Sequence, residues 1–242
     1  MAHGSPDWSK YLRNSRRFSV QDLGEMAARL GSPDTFDRRG EVLFYDVFDH
    51  GLTSWNLDYH GTGAVASIVA SGTIYSGYAA QLTPGTDGDM FTQLLKYVGA
   101  YQANRCGIEA AFTMLHGSYQ FSIGVTVFDG VNQHYFSIGV DAVNNQLFYE
   151  DYVPHHIVLD NIPQPWGQPS PQHYLKIVGD ASLNRYIRAI YDGREYDMSG
   201  IVPSLLPNSS TPQLGLSLQA TGTAGAFLAS TVSHAIVTLN EP

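Results

Sequence analysis

From Glu41 onward the chain is written in short runs of β-branched and aromatic residues, each closed off by Gly, Asn, Asp or Pro. Strand-like runs span 42–48, 64–70, 74–82, 92–101, 108–115, 119–128, 134–140 and 146–152. They resume at 174–179, 185–191, 194–198, 213–219, 226–229 and 234–240. Asp129-Gly130, Asn144-Asn145 and Asp192-Gly193 stand between such runs as two-residue hairpin signals. Two Pro-rich stretches, 163–171 and 203–212, read as a crossover and a loop. Strands this numerous and this closely spaced predict an all-β sandwich or jelly roll, not an alternating α/β fold. No tandem repeat or change of composition interrupts 41–242, so that stretch is expected to be one domain.

Residues 1–40 read differently, as an N-terminal arm. Its first eighteen residues are polar and irregular, with Trp8, Tyr11 and Phe18 as hydrophobic anchors. Ser19 followed three residues later by Asp22 resembles a capping box. Leu23, Met26, Ala27 and Leu30 then fall on one helical face, and Gly31 is a natural stop, which predicts a short helix over 20–30. Ten or so residues make a marginal helix in isolation, so the stripe must lie on something. It can cover its own sandwich or a neighbouring subunit. The further anchors outside the helix favour a second chain, so a homo-oligomer or attachment to a larger shell is expected.

Charge divides the chain at the same place. The arm carries seven of the 13 Lys/Arg against five acids, whereas the remaining 202 residues carry six bases and seventeen acids. An acidic body argues against nucleic acid as its ligand, and the arm is too mixed in sign to be a nucleic-acid tail. Only 14% of residues are charged, below the roughly 25% of an average soluble domain, while Tyr (15) and Gly (24) are abundant. Such a chain has polar but uncharged faces. No apolar stretch approaches the roughly 20 residues a membrane helix needs, and the N-terminus has no apolar h-region, so neither membrane insertion nor a secretory signal is expected. The lone Cys106 excludes an internal disulfide and reads as a small buried hydrophobe.

Asp46-Val47-Phe48-Asp49-His50-Gly51-Leu52-Thr53-Ser54-Trp55 resembles the F-(E/D)-x-G-L-x-x-W opening of jelly-roll carbohydrate-binding modules. His173-Tyr174-Leu175-Lys176-Ile177-Val178, with Arg185-Tyr186-Ile187-Arg188 and the hairpin around Asp192-Gly193, is similar to strands of laminin-G and concanavalin-like sandwiches. This resemblance implies a concanavalin/laminin-G-like sandwich sealed by a buried Trp55. The leader His3-Gly4-Ser5-Pro6-Asp7-Trp8, together with 22–32 and 35–40, resembles that of bacteriophage-encoded proteins in which such a domain follows a short adapter. It implies a virion component of head or tail.

Calcium is the one cofactor the resemblance brings with it, with Asp46 and Asp49 as oxygen ligands and Asp87 and Asp89 as further candidates. Catalytic motifs are wanting. Glu109 is followed two residues on by Ala111, not by the second carboxylate of a glucanase strand, and Glu150-Asp151 diverge as neighbours in a strand. His155-His156 diverge likewise, and no metal-binding His spacing or G-x-S-x-G elbow is present. The expectation is therefore a non-enzymatic virion protein, fixed to other virion proteins by its arm, with the sandwich displayed and surface glycans as a further partner. The alternative is a stand-alone lectin-like module, with Tyr75, Tyr78, Tyr97, Tyr101 and Trp166 as sugar-stacking rings; Tyr149 and Tyr152 extend that set. A glycan-active enzyme is the third reading.

Overall fold

The computed structural model describes residues 39–70, 77–87, 90–99, 105–114, 120–152, 155–163, 172–222 and 229–242; for 151, 152 and 204 only the backbone is described. The arm anchors Trp8, Tyr11 and Phe18 and the helix 20–30 with Leu23, Met26 and Leu30 lie outside these residues. Among the described residues all regular structure is β.

Two antiparallel sheets face each other. The first runs β13 (Arg194–Asp197), β12 (Arg185–Tyr191), β11 (His173–Asp180), β6 (Arg105–Met114), β16 (Ser230–Leu239), β4 (Tyr78–Thr83) and β3 (Val65–Ala70). Beyond β4, the far half of β16 takes β1 (Glu41–Asp46) as its neighbour, with Asp46 opposite Ala235. The second sheet runs β10 (His155–Asn161), β9 (Gln146–Tyr152), β8 (Asn132–Asp141), β7 (Gln120–Phe128), β15 (Gln213–Thr221), β5 (Phe91–Val98) and β2 (Asn56–His60). β14 (Ser204–Pro207) pairs with the first half of β8.

Alternation of side chains builds the core between them. Ile108, Ala110, Phe112 and Met114 of β6 turn inward to meet Phe121, Ile123, Val125 and Val127 of β7, as the two-residue period of a strand requires. Phe112 and Phe121 stack across the sheets with ring centroids 4.4 Å apart. Trp55 is buried, as its place after the opening strand predicts, and packs edge-on against Phe44. Cys106 is also a core residue. Burial pushes its thiol up to about 12, with the charges of Glu241 and Asp180 adding to the effect.

The middle of the first sheet is buried on both faces. Beyond the core residues Leu175 and Ile177, β11 also buries Tyr174, Lys176 and Val178. On that far face Lys176 Nζ lies 2.7 Å from Glu241 and 3.4 Å from Glu109, and Arg188 pairs with Glu241 and donates to the Pro242 carbonyl at 2.8 Å. The lysine of the His-x-Leu-Lys-like stretch thus belongs to a buried ion cluster. Arg39 and Gly40, at the end of the predicted arm, touch the body: Arg39 pairs with Glu195 at 2.6 Å, and a Cβ on Gly40 would stand 2.8 Å from Glu241.

Most predicted strands are present within a few residues of their expected limits. β2, β10 and β14 were not expected. Each lies at the margin of the second sheet, β14 inside the second Pro-rich stretch. None of them carries a fully apolar face, because only one long edge of an outer strand is paired and little of it enters the core.

Candidate functional site

The outer face of the second sheet is paved in rows set by register. One row runs Tyr135, Thr126, Gly215 and Tyr97 across β8, β7, β15 and β5; the next runs Gln133, Phe128 and Gln213. On the other side lie Ser137, Gly124 and Ser217, and beyond them Gly139, Ser122, Gln219 and Gln93. Glycines in these rows let rings lie on the backbone. A Cβ on Gly124 would stand 2.8 Å from Ser217 Oγ and 3.1 Å from the Tyr135 ring and hydroxyl. One on Gly215 would stand 3.2 Å from the Tyr97 ring, and one on Gly139 2.4 Å from Phe148.

Between the rings and the neighbouring loop is a cleft of about 420 Å³, within the usual range for a ligand site. Amides line it (Gln93, Gln133, Asn208 and Gln213), together with Tyr97, Tyr135 and Ser217. Asn208 Nδ2 donates to Gln133 Oε1 at 3.1 Å, which fixes the orientation of that amide. Tyr97 is 46% exposed and presents its ring to solvent. The Tyr135 hydroxyl is held protonated far above its ordinary value, first by burial and then by the charge of Glu150.

Beside the cleft, His156 of β10 is in register with Glu150 of β9, stacks on Phe148 at 4.2 Å and contacts Glu150 Oε1 through Nε2 at 3.1 Å. Glu150 is the buried carboxylate of this neighbourhood. Asp141 commits its oxygens to its own turn, accepting from the Val143 and Asn144 amides at 2.9 and 2.8 Å. Asp58 stands on β2, five strands from Glu150, or roughly 24 Å at the usual strand spacing. A hydrolytic carboxylate pair needs about 5–10 Å. At this face the described residues therefore supply hydrogen bonds and ring faces but no such pair.

No protein-family model and no curated protein matches the sequence. Solved structures do resemble the fold. An endo-β-1,4-glucuronan lyase from the fungus Trichoderma reesei aligns over 82% of this chain and 96% of its own, with TM-score 0.55 and 14% identity. A carbohydrate esterase from the Shiga toxin-encoding bacteriophage phi24B aligns over 84% of this chain and 100% of its own, with TM-score 0.52 and 16% identity. A sialidase aligns over 86% of this chain at TM-score 0.51 and 10% identity, although this chain spans only 19% of its length. The fold is a concanavalin-like sandwich.

Two enzymes that share almost their whole length with this chain overturn the expectation of a non-enzyme. A lyase and an esterase have this fold at 14–16% identity, so the fold gives no ground for excluding catalysis, and enzyme status is open. The sandwich says equally little of a virion.

Of the five predicted stacking rings, the structure brings Tyr97 to the cleft. Tyr78 is exposed on β4 of the first sheet and does not share it. Tyr75, Tyr101 and Trp166 lie outside the described residues. Tyr149 turns instead to the core side and packs edge-on against Tyr186 at 5.7 Å.

The calcium candidates have other occupations. Asp46 accepts from Trp55 Nε1 at 2.8 Å, the Phe48 amide at 2.7 Å and Ser54 Oγ at 3.4 Å, while Asp49 sits on the exposed turn. Asp87 holds the Thr62 amide and hydroxyl at 2.6 and 2.9 Å. Among the described residues no group of three or more His, Cys, Asp or Glu converges. Asp46 and Asp49 by themselves bring fewer oxygens than the six to eight Ca²⁺ takes. Asp46 instead ties the opening strand to Trp55.

The cleft residues Tyr135, Gln133, Gln213 and Ser217 were not singled out from the sequence. Their signal is present, however: small or polar residues at alternate positions, as in Ser122-x-Gly124-x-Thr126 and Gly215-x-Ser217-x-Gln219, opposite large apolar neighbours.

Proposed function

We propose that this protein binds carbohydrate in the cleft across β5, β15, β7 and β8. The observation that carries this reading is an uncharged, ligand-sized cleft where amides, Gln133 among them held by Asn208, alternate with exposed or flat-lying tyrosine rings. Sugars offer the complementary surface: hydroxyls that donate and accept, and C–H faces that stack on aromatic rings. The likeness in fold to a glucuronan lyase and a carbohydrate esterase supports the reading. A glycan array on the intact chain tests it. We expect a defined set of glycans to bind, and Tyr97→Ala and Gln133→Ala each to weaken binding at least about 10-fold with unchanged circular dichroism. Wild-type protein that binds no glycan defeats the proposal.

Attachment to a virus particle through residues 1–40 accompanies this reading, supported by the leader resemblance. In that setting the arm joins the chain to other virion proteins or to copies of itself, and the sandwich is displayed. Copurification of the chain with particles, lost on Leu23→Asp/Met26→Asp, is the expected result.

A further inference from the structure

The second sheet has one Lys or Arg in all its strands, Lys96 of β5. That residue turns away from the cleft, donating to the Ser54 carbonyl at 2.7 Å with its ammonium over the Phe44 ring. The remaining bases of the described body are engaged elsewhere or face other surfaces. Arg105 pairs with Asp180, Arg188 and Lys176 with Glu241, and Arg194 with Asp160. No described residue lining the cleft is charged, and the carboxylate beside it, Glu150, is of the wrong sign for an anion. The body as a whole is acidic.

Resting on the reading of this cleft as a carbohydrate site, we infer that its ligand is an uncharged oligosaccharide and that uronate- or sialate-bearing glycans are excluded. A sugar carboxylate entering here loses water and gains no countercharge, and it meets the fields of Glu150 and of an acidic body. Hydroxyls have no such difficulty. Each glutamine or asparagine amide both donates and accepts, as a hydroxyl does. The cleft also favours a chain over a single sugar. From Tyr97 on β5 to Tyr135 on β8 there are three strand intervals, roughly 14 Å, so several rings in succession meet the row.

Titration calorimetry of the full chain against neutral hexasaccharides of glucose, xylose, mannose and galactose, and against glucuronate oligomers and sialyllactose, tests this at low and high salt. At least one neutral oligomer should bind with an affinity unchanged by salt and at least about 10-fold tighter than any acidic glycan. Gln213→Lys, which places a cation in the cleft, should narrow that preference. Tighter binding of a uronate or sialylated glycan, weakened by salt, overturns the inference and leaves the carbohydrate reading intact. Binding of neither class, by protein whose melting is cooperative, removes the carbohydrate reading and this inference with it.

Discussion

His234 lies just past the bulge in β16 and is buried, which lowers its imidazole from the ordinary 6.5 to about 4. In the unfolded chain the ring charges below about 6.5, but in the folded chain it stays neutral until about 4. Its effect on stability is therefore absent above pH 6.5. Stability falls by up to about 1.4 kcal/mol per pH unit as pH drops between the two values, then levels off. Denaturant melts across that range should show the slope, and His234→Gln should flatten it; an identical slope in the variant would mean the ring is solvated. Single residues with one dominant drive were legible beforehand. Trp55 and Cys106 are buried because apolar groups gain most from leaving water. Asp46 was legible as a carboxylate but not as the acceptor for Trp55 Nε1, since that bond depends on how the turn at 48–52 folds.

Elements with a strong local signal were equally legible. Asp192-Gly193 joins β12 to β13 with φ of 47° and 81°, the two positive values a type I′ turn requires. Asp192 also accepts from the Tyr174 amide at 2.8 Å and contacts His173 Nδ1 at 2.7 Å, so the turn is locked to β11. The outer strands β2, β10 and β14 of the second sheet escaped notice because their backbone pairing, not their side chains, defines them. A less visible device is Tyr186 of β12, which crosses the core to the other sheet. Its hydroxyl accepts from the Ser137 amide at 3.0 Å and donates to the Glu150 carbonyl at 2.7 Å. It thereby seats β8 against β9 directly beneath the proposed site. Tyr186→Phe should cost about 1–3 kcal/mol, because it strands a buried donor and acceptor. Amide exchange at Ser137 should quicken accordingly, and unchanged protection there would show that water or a neighbour replaces the hydroxyl.

At the scale of the whole molecule, Glu109, Lys176, Arg188 and Glu241 come together from β6, β11, β12 and the last residues of the chain. Lys176→Met should destabilise by about 3–5 kcal/mol, because it removes a buried cation from the buried carboxylates Glu109 and Glu241 and leaves Glu241 with Arg188. Denaturant melts measure this, and a loss below about 1 kcal/mol would mean the cluster is hydrated and adds little. Nothing in the sequence announces this group, whose members are up to 132 positions apart. The sequence by itself determined the all-β class, the position of many strands, the hairpin at Asp192-Gly193 and the burial of Trp55. All of these follow from side-chain alternation and turn chemistry within a few residues. Only the tertiary structure decided which face is open, which tyrosine reaches the cleft, and that Glu109 lies on the first sheet, away from it. Those outcomes depend on strand order, which places β15 between β5 and β7 and β11 beside β6; long-range pairing of this kind is selected by packing the two sheets together and leaves no local mark in the chain.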